Sequence, residues 1–174
     1  GVEGGMLEDG VLASDLGQVQ EMWDVREGCN PAARDHGYNY KYDLSLPLRQ
    51  YYDVVEEVRR RLAERFPSDG GTPRAVAVNW GHVIDGNIHL NVVTPGRFEE
   101  DPEVLSILEP FVFEYTKKQG GSISAEHGLG RCKNQYLGQL AKDPRSLMAM
   151  RSIKDIFDPN GIMNPGKYLP SASA

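Results

Sequence analysis

The feature that most restricts the fold is the dipeptide Asp85-Gly86, which separates two short runs of mixed apolar and polar residues. Asp and Gly tolerate the positive φ angles that both central residues of a type I′ hairpin turn require. A two-residue turn here predicts an antiparallel hairpin in which His82 faces His89 across the strands. The Cβ atoms of such a pair lie roughly 4.5–5.5 Å apart, so both imidazoles can bind one metal ion. Asn91 follows His89 by two residues and therefore points to the same face.

Length and charge exclude several classes of protein. A chain of 174 residues is long enough for one domain with a sizeable core. Its formal net charge of −6 argues against nucleic acid as a partner, because binding to phosphates needs clustered Lys and Arg. Two cysteines fit a reducing compartment, and no apolar run reaches the length of a membrane span. The first residue is Gly1 rather than Met, from which we expect a fragment or a processed product.

Hydrophobic periodicity predicts alternating strands and helices. Tyr and Leu alternate with polar residues from Tyr38 to Leu46, which is typical of a half-buried strand. Apolar residues at helical spacing predict a first helix stopped by Gly28, a helix kinked by Pro110, and a last helix with a buried stripe. The predicted helices cover 14–27, 48–66, 102–118 and 144–157, and the predicted strands cover 38–46, 75–80, 88–93 and 122–125.

The order of these elements from Tyr38 to Ala125 is β-α-β-β-α-β. We therefore predict an α+β fold with a ferredoxin-like antiparallel sheet, both helices on one face, and a C-terminal helical extension. The first strand would lie between the third and the fourth. The alternation of Val76, Val78 and Trp80 places them on the same face as His82. Either another layer covers that face, or a bulge at Gly81 changes the register.

The face opposite the helices collects residues that can perform chemistry. His82, His89 and Glu126 form a three-ligand set that leaves a position open on a catalytic metal. His127 is the natural general base, because the pKa of an imidazole lies near neutral pH. Two surface histidines and a solvated Glu126-His127 pair remain the simpler alternative, since short motifs often match by chance.

Two cations complete the candidate site. Arg26 offers a planar fork for a carboxylate, and Lys41 offers a point charge on the polar face of the first strand. Beside a metal, both would suit an acidic substrate. Exposed cations more often form surface ion pairs, which is the alternative for each.

Five segments in this order carry a resemblance to a known family: Arg26-Glu27, residues 41–47 (KYDLSLP), 81–91 (GHVIDGNIHLN), 122–130 (SISAEHGLG) and 157–167 (FDPNGIMNPGK). Together they resemble the C-terminal region of the FAD-linked D-2-hydroxyacid dehydrogenases of the vanillyl-alcohol oxidase superfamily. That family includes D-lactate dehydrogenases, glycolate oxidase subunits and D-2-hydroxyglutarate dehydrogenases. The segment 41–47 most resembles the D-2-hydroxyglutarate branch.

The resemblance implies a role for each candidate residue. His82, His89 and Glu126 would hold Zn or a similar divalent metal, and His127 would be the catalytic base. Arg26, Lys41 and Asn91 would contact the substrate. The family often has Thr four residues after the arginine, and here Asn30 departs from that pattern at a substrate-binding position. Asn164, near the C-terminus, would contact the cofactor.

The resemblance also implies a reaction and a location. The substrate would be a small D-2-hydroxyacid of the 2-hydroxyglutarate or lactate type, oxidised to the 2-oxoacid with hydride transfer to FAD. Electrons would leave to a flavoprotein or a quinone. Mitochondria would be the location, and a homodimer stays open as an assembly.

The same resemblance divides the chain at residue 142. Residues 1–142 would form a cap domain that binds substrate, and residues 143–174 would form a C-terminal helix and tail. FAD would be bound mainly by a domain that precedes this region, so the fragment alone would be inactive. Exposed apolar surface is then expected on the last helix.

Two other functions compete with this one. The same fold can serve a non-catalytic interaction protein, for example one associated with actin or the cytoskeleton, because fold does not fix function. A dimetal hydrolase is disfavoured, because the candidate ligands suffice for only one metal.

Overall fold

The computed structural model describes residues 9–140 and 143–170, with the side chains of residues 139 and 140 left aside. The described chain forms two compact units that divide after Asp35. The predicted division into residues 1–142 and 143–174 stays a prediction. Residues 1–8, 141–142 and 171–174 of those two predicted domains lie outside the described residues.

The first unit contains most of a single long helix, α1 (Leu16–His36). Its first turn is capped by Asp15, whose Oδ1 accepts a hydrogen bond of 2.9 Å from the backbone N–H of Gln18. The prediction that Gly28 ends this helix is wrong, because α1 continues through Gly28 and Pro31. A glycine inside a helix costs only about 1 kcal/mol, which the turns on either side can offset.

The second unit is built on a three-stranded antiparallel sheet in the order β1-β3-β2. Its strands are β1 (Gly37–Ser45), β2 (Val76–His82) and β3 (Asn87–Pro95). The predicted fourth strand is reduced to one antiparallel bridge, in which Ser45 and Ser122 exchange two backbone hydrogen bonds of 2.9 Å. The bridge lies beside β1, where the topology predicted the fourth strand. The sheet thus keeps the predicted neighbours around β1 but has three full strands among the described residues.

Helices pack on one face of this sheet. The helices of the second unit are α2 (Asp53–Arg65), α3 (Pro102–Leu108), α4 (Phe111–Lys118), α5 (Asn134–Leu140) and α6 (Pro144–Phe157). The single helix predicted over residues 102–118 is divided at Pro110, which has no N–H to continue the hydrogen-bond ladder. The helix predicted from residue 48 begins instead as a 3-10 turn before α2, and α5 was not predicted.

The hydrophobic core lies between the sheet and these helices. The alternation predicted for β1 is confirmed, because Tyr40, Tyr42 and Leu44 are buried. The strands β3 and β2 add Ile88, Leu90, Val92 and Ala77, and the helices add Val54, Val55, Val58, Leu62, Val104, Leu108, Val112 and Phe113. All three strands therefore present one face to the helix layer, and the alternate residues, among them His82, His89 and Asn91, lie on the other face.

The last helix, α6, does not contribute buried residues to that core. Met150, Ile153, Ile156 and Phe157 are exposed, so the buried stripe predicted for them is wrong for this chain. The expected exposed apolar surface is present here. None of the helices among residues 9–140 and 143–170 is long and apolar enough to cross a membrane.

The hairpin between β2 and β3 forms, but with a different turn. Residues Val83–Asp85 form a 3-10 turn, and only Gly86 adopts a left-handed conformation, with φ of 74°. The two-residue type I′ turn is therefore wrong, and so is its direct pairing of His82 with His89. His82 pairs with Asn87, and His89 pairs with Trp80. The register moves by two residues rather than one, so every side chain keeps its predicted face.

The alternatives left open at Gly81 are also resolved. Pairing continues from Trp80 through Gly81, which lies opposite Ile88, to His82 without an inserted residue. No bulge resets the register in this hairpin. The half-buried Val76, Val78 and Trp80 therefore share the face of His82.

Candidate metal and substrate site

The sheet face opposite the core gathers polar residues from β1 and β3. Lys41 pairs directly with Asn91, and Asp43 pairs directly with His89. Because alternate residues of a strand share a face, all four side chains leave the sheet on the side away from the helices. The core residues Tyr42 and Leu90 occupy the intervening positions.

The two histidines of the hairpin lie close together on this face. His82 is diagonal to His89 in the ladder, and their ring centroids are 5.8 Å apart. Diagonal neighbours in a sheet remain within reach of long side chains. The convergence predicted for the two imidazoles is therefore present, although it arises from a different register.

Glu126 lies between the two imidazoles. Its Oε1 is 2.7 Å from Nδ1 of His82, and its Oε2 is 3.7 Å from Nε2 of His89. Each of the three residues offers one ligand atom within 4.8 Å of the others. Two imidazole nitrogens and a carboxylate oxygen are a donor set that suits Zn and related divalent ions. The residues present therefore fit a metal that keeps a coordination position open.

The turn that carries Glu126 is attached to β1 through Asp43. Oδ2 of Asp43 accepts hydrogen bonds from the backbone N–H groups of Ala125 (3.0 Å), Glu126 (2.8 Å) and His127 (2.7 Å). Successive N–H groups around one anion form a nest, a recurring backbone anion site. These amides bind a side chain of β1 rather than its backbone, which explains why the predicted fourth strand stops at Ser122.

A second cluster with metal-ligand spacing combines Asp43, His89 and His127. It shares His89 with the first cluster, so one imidazole would have to serve both. Nε2 of His89 faces Glu126, whereas Nδ1 lies 3.5 Å from Oδ1 of Asp43. A ligating histidine commonly donates its other ring N–H to a carboxylate. Of the two clusters, the one formed by His82, His89 and Glu126 is therefore the better candidate for a metal site, and Asp43 lies behind His89.

The charge of His89 is set by opposing neighbours. Burial lowers the pKa of His89, and the carboxylates of Asp43 and Glu126 oppose that shift. The neighbouring imidazoles of His127 and His82 lower the pKa further. A lowered pKa favours the neutral imidazole, which is the form that binds a metal.

His127 lies at the edge of the same cluster. Its ring centroid is 5.8 Å from that of His89, and its side chain is exposed. Its backbone carbonyl accepts a short hydrogen bond from Oγ of Ser124. Both its backbone N–H and its backbone C=O are thus bonded, so the turn is held while the imidazole faces solvent.

Asn91 and Lys41 occupy different environments on this face. Asn91 is 2% exposed, its Nδ2 donates to the carbonyl of His89 at 3.0 Å, and its Oδ1 accepts from Nδ2 of Asn39 at 2.9 Å. Lys41 is exposed, and its carbonyl accepts from Nζ of Lys133 at 2.6 Å. Asn91 therefore supports the backbone of His89, while its predicted contact with substrate stays a prediction.

Arg26 and Asn30 lie on α1, in the first unit. Arg26 forms an ion pair with Glu27, with 3.7 Å between Nη1 and Oε1. The roles predicted for both residues in substrate binding stay predictions.

Asn164 lies in the loop after α6, where it adopts a left-handed conformation with φ of 49°. The loop borders an open cleft of about 920 Å³. Gly128, directly after His127, also lines the cleft, as do the apolar side chains of Met150, Ile153 and Phe157. Pockets of this size and apolar character accept small organic ligands. Asn164 thus lines this cleft beside the His127 turn, and its predicted contact with the cofactor stays a prediction.

Asp43 is the residue of this cluster that the sequence pattern did not indicate as functional. It lies two residues after Lys41 on the polar face of a strand, a pattern that an exposed carboxylate also shows. Its importance depends on the pairing of β1 with β3 and on the return of the chain after Ser122. Both contacts join residues far apart in the sequence, so the local pattern carried no signal for them.

Comparison with known proteins places the chain in a family. Residues 1–168 match the family described as FAD linked oxidases, C-terminal domain. The chain is 43% identical over 170 residues to the mitochondrial D-2-hydroxyglutarate dehydrogenase of Bos taurus, covering 98% of this chain and 29% of the relative. It is 42% identical over 165 residues to the enzyme of the same name from Danio rerio, covering 95% and 29%.

A third relative has a different activity in its name. The chain is 39% identical over 165 residues to the D-2-hydroxyglutarate–pyruvate transhydrogenase of Saccharomyces cerevisiae, covering 94% of this chain and 32% of the relative. The chain thus spans less than a third of the length of these relatives. With almost its whole length matched, the chain belongs to the family of FAD-linked oxidase C-terminal domains.

Proposed function

We propose that this chain is the substrate- and metal-binding part of a flavin-dependent D-2-hydroxyacid dehydrogenase. The convergence of His82, His89 and Glu126 beside His127 is the observation that carries the proposal. Family membership supports it, and the names of the relatives favour 2-hydroxyglutarate, with lactate as the smaller alternative.

The metal site suits a substrate with a hydroxyl beside a carboxylate. When bound, a divalent ion supplies a Lewis acid for the hydroxyl oxygen, and FAD supplies the acceptor for the hydride that leaves Cα. His82, His89 and Glu126 would hold the ion, with Zn as the metal that fits the donor set best. The neutral form of His89, favoured by burial, keeps that imidazole available as a ligand.

His127 would take the proton of the substrate hydroxyl. It lies beside the proposed ligand His89, and its imidazole is exposed on a turn whose backbone is held. Histidine is the side chain that most often serves as a general base in proteins. Lys41, Arg26, Asn30 and Asn91 would bind the carboxylate and hydroxyl region of the substrate.

FAD, in this proposal, is bound mainly by a separate flavin-binding domain, with Asn164 as a contact from this chain. The chain by itself is then expected to turn over no substrate. The substrate's electrons would pass to a flavoprotein or quinone. The relatives from Bos taurus and Danio rerio are named as mitochondrial, and we propose the same location for this protein.

Metal analysis of histidine variants tests the proposal. We expect the full chain to bind Zn²⁺, and the variants His82→Ala and His89→Ala each to lose most of the bound metal, because each removes one of three ligands. His36→Ala is the matched control, because His36 lies outside the cluster at the end of α1. Undiminished metal content in both site variants would disprove the assignment.

The reaction itself requires a protein in which this chain is joined to a flavin-binding domain. We expect D-2-hydroxyglutarate or D-lactate to reduce the flavin of that protein. The absorbance of the flavin measures this reduction. If no 2-hydroxyacid reduced the flavin of that protein, a non-catalytic interaction function would replace this proposal.

A further inference from the structure

We propose that Asp43 is the positioning residue of the site, and that its two carboxylate oxygens perform separate tasks. Oδ2 holds the turn that presents Glu126 and His127, and Oδ1 sets the orientation and tautomer of His89. The first task stands on its own, whereas the second rests on the proposed function, because it concerns a metal ligand.

The first task follows from the hydrogen bonds of Oδ2. Three consecutive N–H groups, those of residues 125–127, donate to this one oxygen at 2.7–3.0 Å. The bridge at Ser122 is the last backbone pairing between this segment and β1. Beyond Ser122, the carboxylate of Asp43 therefore fixes the distance between the turn and the sheet.

The second task follows from the position of Oδ1. This oxygen is buried and has no hydrogen bond within the described part of the chain, and it lies 3.5 Å from Nδ1 of His89. A buried acceptor without a hydrogen bond is costly. If Nδ1 of His89 carries the proton, it can donate to Oδ1 of Asp43 after a small movement. With the proton on Nδ1, Nε2 of His89 keeps its lone pair and faces Glu126. That arrangement prepares Nε2 to bind a metal.

The variant Asp43→Asn separates the two tasks. Its amide oxygen can still accept from the three N–H groups, but its NH₂ group would then face Nδ1 of His89. Nδ1 would have to accept, so the proton of the neutral imidazole would move to Nε2 and block the metal-binding atom. The variant Asp43→Ala removes both tasks at once.

The experiment measures amide hydrogen exchange and the tautomer of His89 in the metal-free full chain, and then Zn²⁺ affinity by titration, for each variant. We expect Asp43→Asn to keep slow hydrogen exchange at residues 125–127, to show His89 protonated at Nε2 by ¹⁵N NMR, and to lower Zn²⁺ affinity by about 10–100-fold. Asp43→Ala should lower affinity at least as much and also accelerate exchange of the three amides by about tenfold or more.

Asp101→Asn is the matched control. Asp101 is a carboxylate with the same 13% side-chain exposure as Asp43, and it likewise accepts backbone N–H groups, at the start of α3. Its replacement should leave the His89 tautomer, the exchange of residues 125–127 and Zn²⁺ affinity unchanged, whatever it costs in stability.

The outcomes are distinguishable. Unchanged exchange in Asp43→Ala overturns the first task, and an unchanged His89 tautomer in Asp43→Asn overturns the second. If the wild-type chain bound no Zn²⁺, the proposed metal site would fail, while exchange and tautomer in the metal-free chain would still decide the role of Asp43.

Discussion

At the scale of a residue, His89 shows how the surroundings of one imidazole set its pKa. Its ring is largely buried on β3, with Asp43 on one side, Glu126 on another and the rings of His82 and His127 nearby. Burial and the neighbouring imidazoles favour the neutral form, and the carboxylates favour the charged form. The net shift of the pKa is downward, which suits a ligand rather than a proton carrier.

His127 is suited to the opposite task, because it is exposed while its backbone is held. In a protein that contains this chain and its flavin, we expect His127→Ala to bind substrate but to slow flavin reduction by about 10²–10⁴-fold, the range lost with a general base. Stopped-flow absorbance measures the rate. His36→Ala should leave it unchanged, and an unchanged rate in His127→Ala would refute the role of His127.

At the scale of elements, α5 joins the site to the helix layer through one carboxylate. Glu109 accepts a hydrogen bond from the hydroxyl of Tyr42 on β1 at 3.1 Å and another from Tyr136 on α5 at 2.7 Å. Nζ of Lys133, just before α5, lies over the ring of Tyr42 and donates to the carbonyl of Lys41. The chain after the His127 turn is therefore anchored to β1 at a second point.

This network predicts a loss of stability at alkaline pH. Burial, together with the hydrogen bond to Glu109, raises the pKa of Tyr136 to about 12. The unfolded chain loses this proton near pH 10, whereas the folded chain keeps it, so the contribution is complete below about pH 10 and is lost as pH rises toward about 12.

Tyr136→Phe tests the prediction, because it removes the titrating hydroxyl and keeps the ring. Urea unfolding at pH 8 should show wild type more stable by roughly 1.5–3 kcal/mol, as expected for a hydrogen bond to a charged group. That difference should shrink by about pH 11.5, between the unfolded and folded pKa values and close to the latter. A difference that stayed constant with pH would contradict the assignment.

Periodicity predicted the elements of the sheet and the face of the site, because a period of two decides on which side each side chain leaves a strand. It therefore placed Lys41, His89 and Asn91 together. The predicted type I′ turn was wrong because it requires Asp85 to adopt a positive φ. The sequence permits that conformation but does not require it. The role of Asp43 and the short fourth strand depend on contacts between distant segments, which periodicity does not register.

At the scale of the whole molecule, apolar residues divide between a closed core and an open surface. Phe113 on α4 is fully buried and contacts the rings of Tyr42 and Tyr136 edge-on or tilted. Phe157 on α6 is 85% exposed, in the same cleft as Asn164. The two side chains are identical, but only that of Phe113 is removed from water by folding.

This contrast predicts how two matched substitutions affect stability. Phe113→Ala should lower the free energy of unfolding by about 3–5 kcal/mol, because it leaves a cavity in the core. Phe157→Ala should change it by less than about 0.5 kcal/mol, because little surface is buried there. Chemical unfolding measures both values. A loss of several kcal/mol in Phe157→Ala would show that α6 supports the fold.

The nest around Asp43 also restricts where the chain can change in length. The carboxylate of Asp43 binds backbone N–H groups, so the side chain of Ala125 can vary. Only two residues, however, separate the bridge at Ser122 from the first bound amide. An insertion there would carry Glu126 away from the two histidines. An insertion after the exposed Gly128 would lengthen the loop without moving the ligands. Changes in loop length are therefore expected to be tolerated only on the far side of His127.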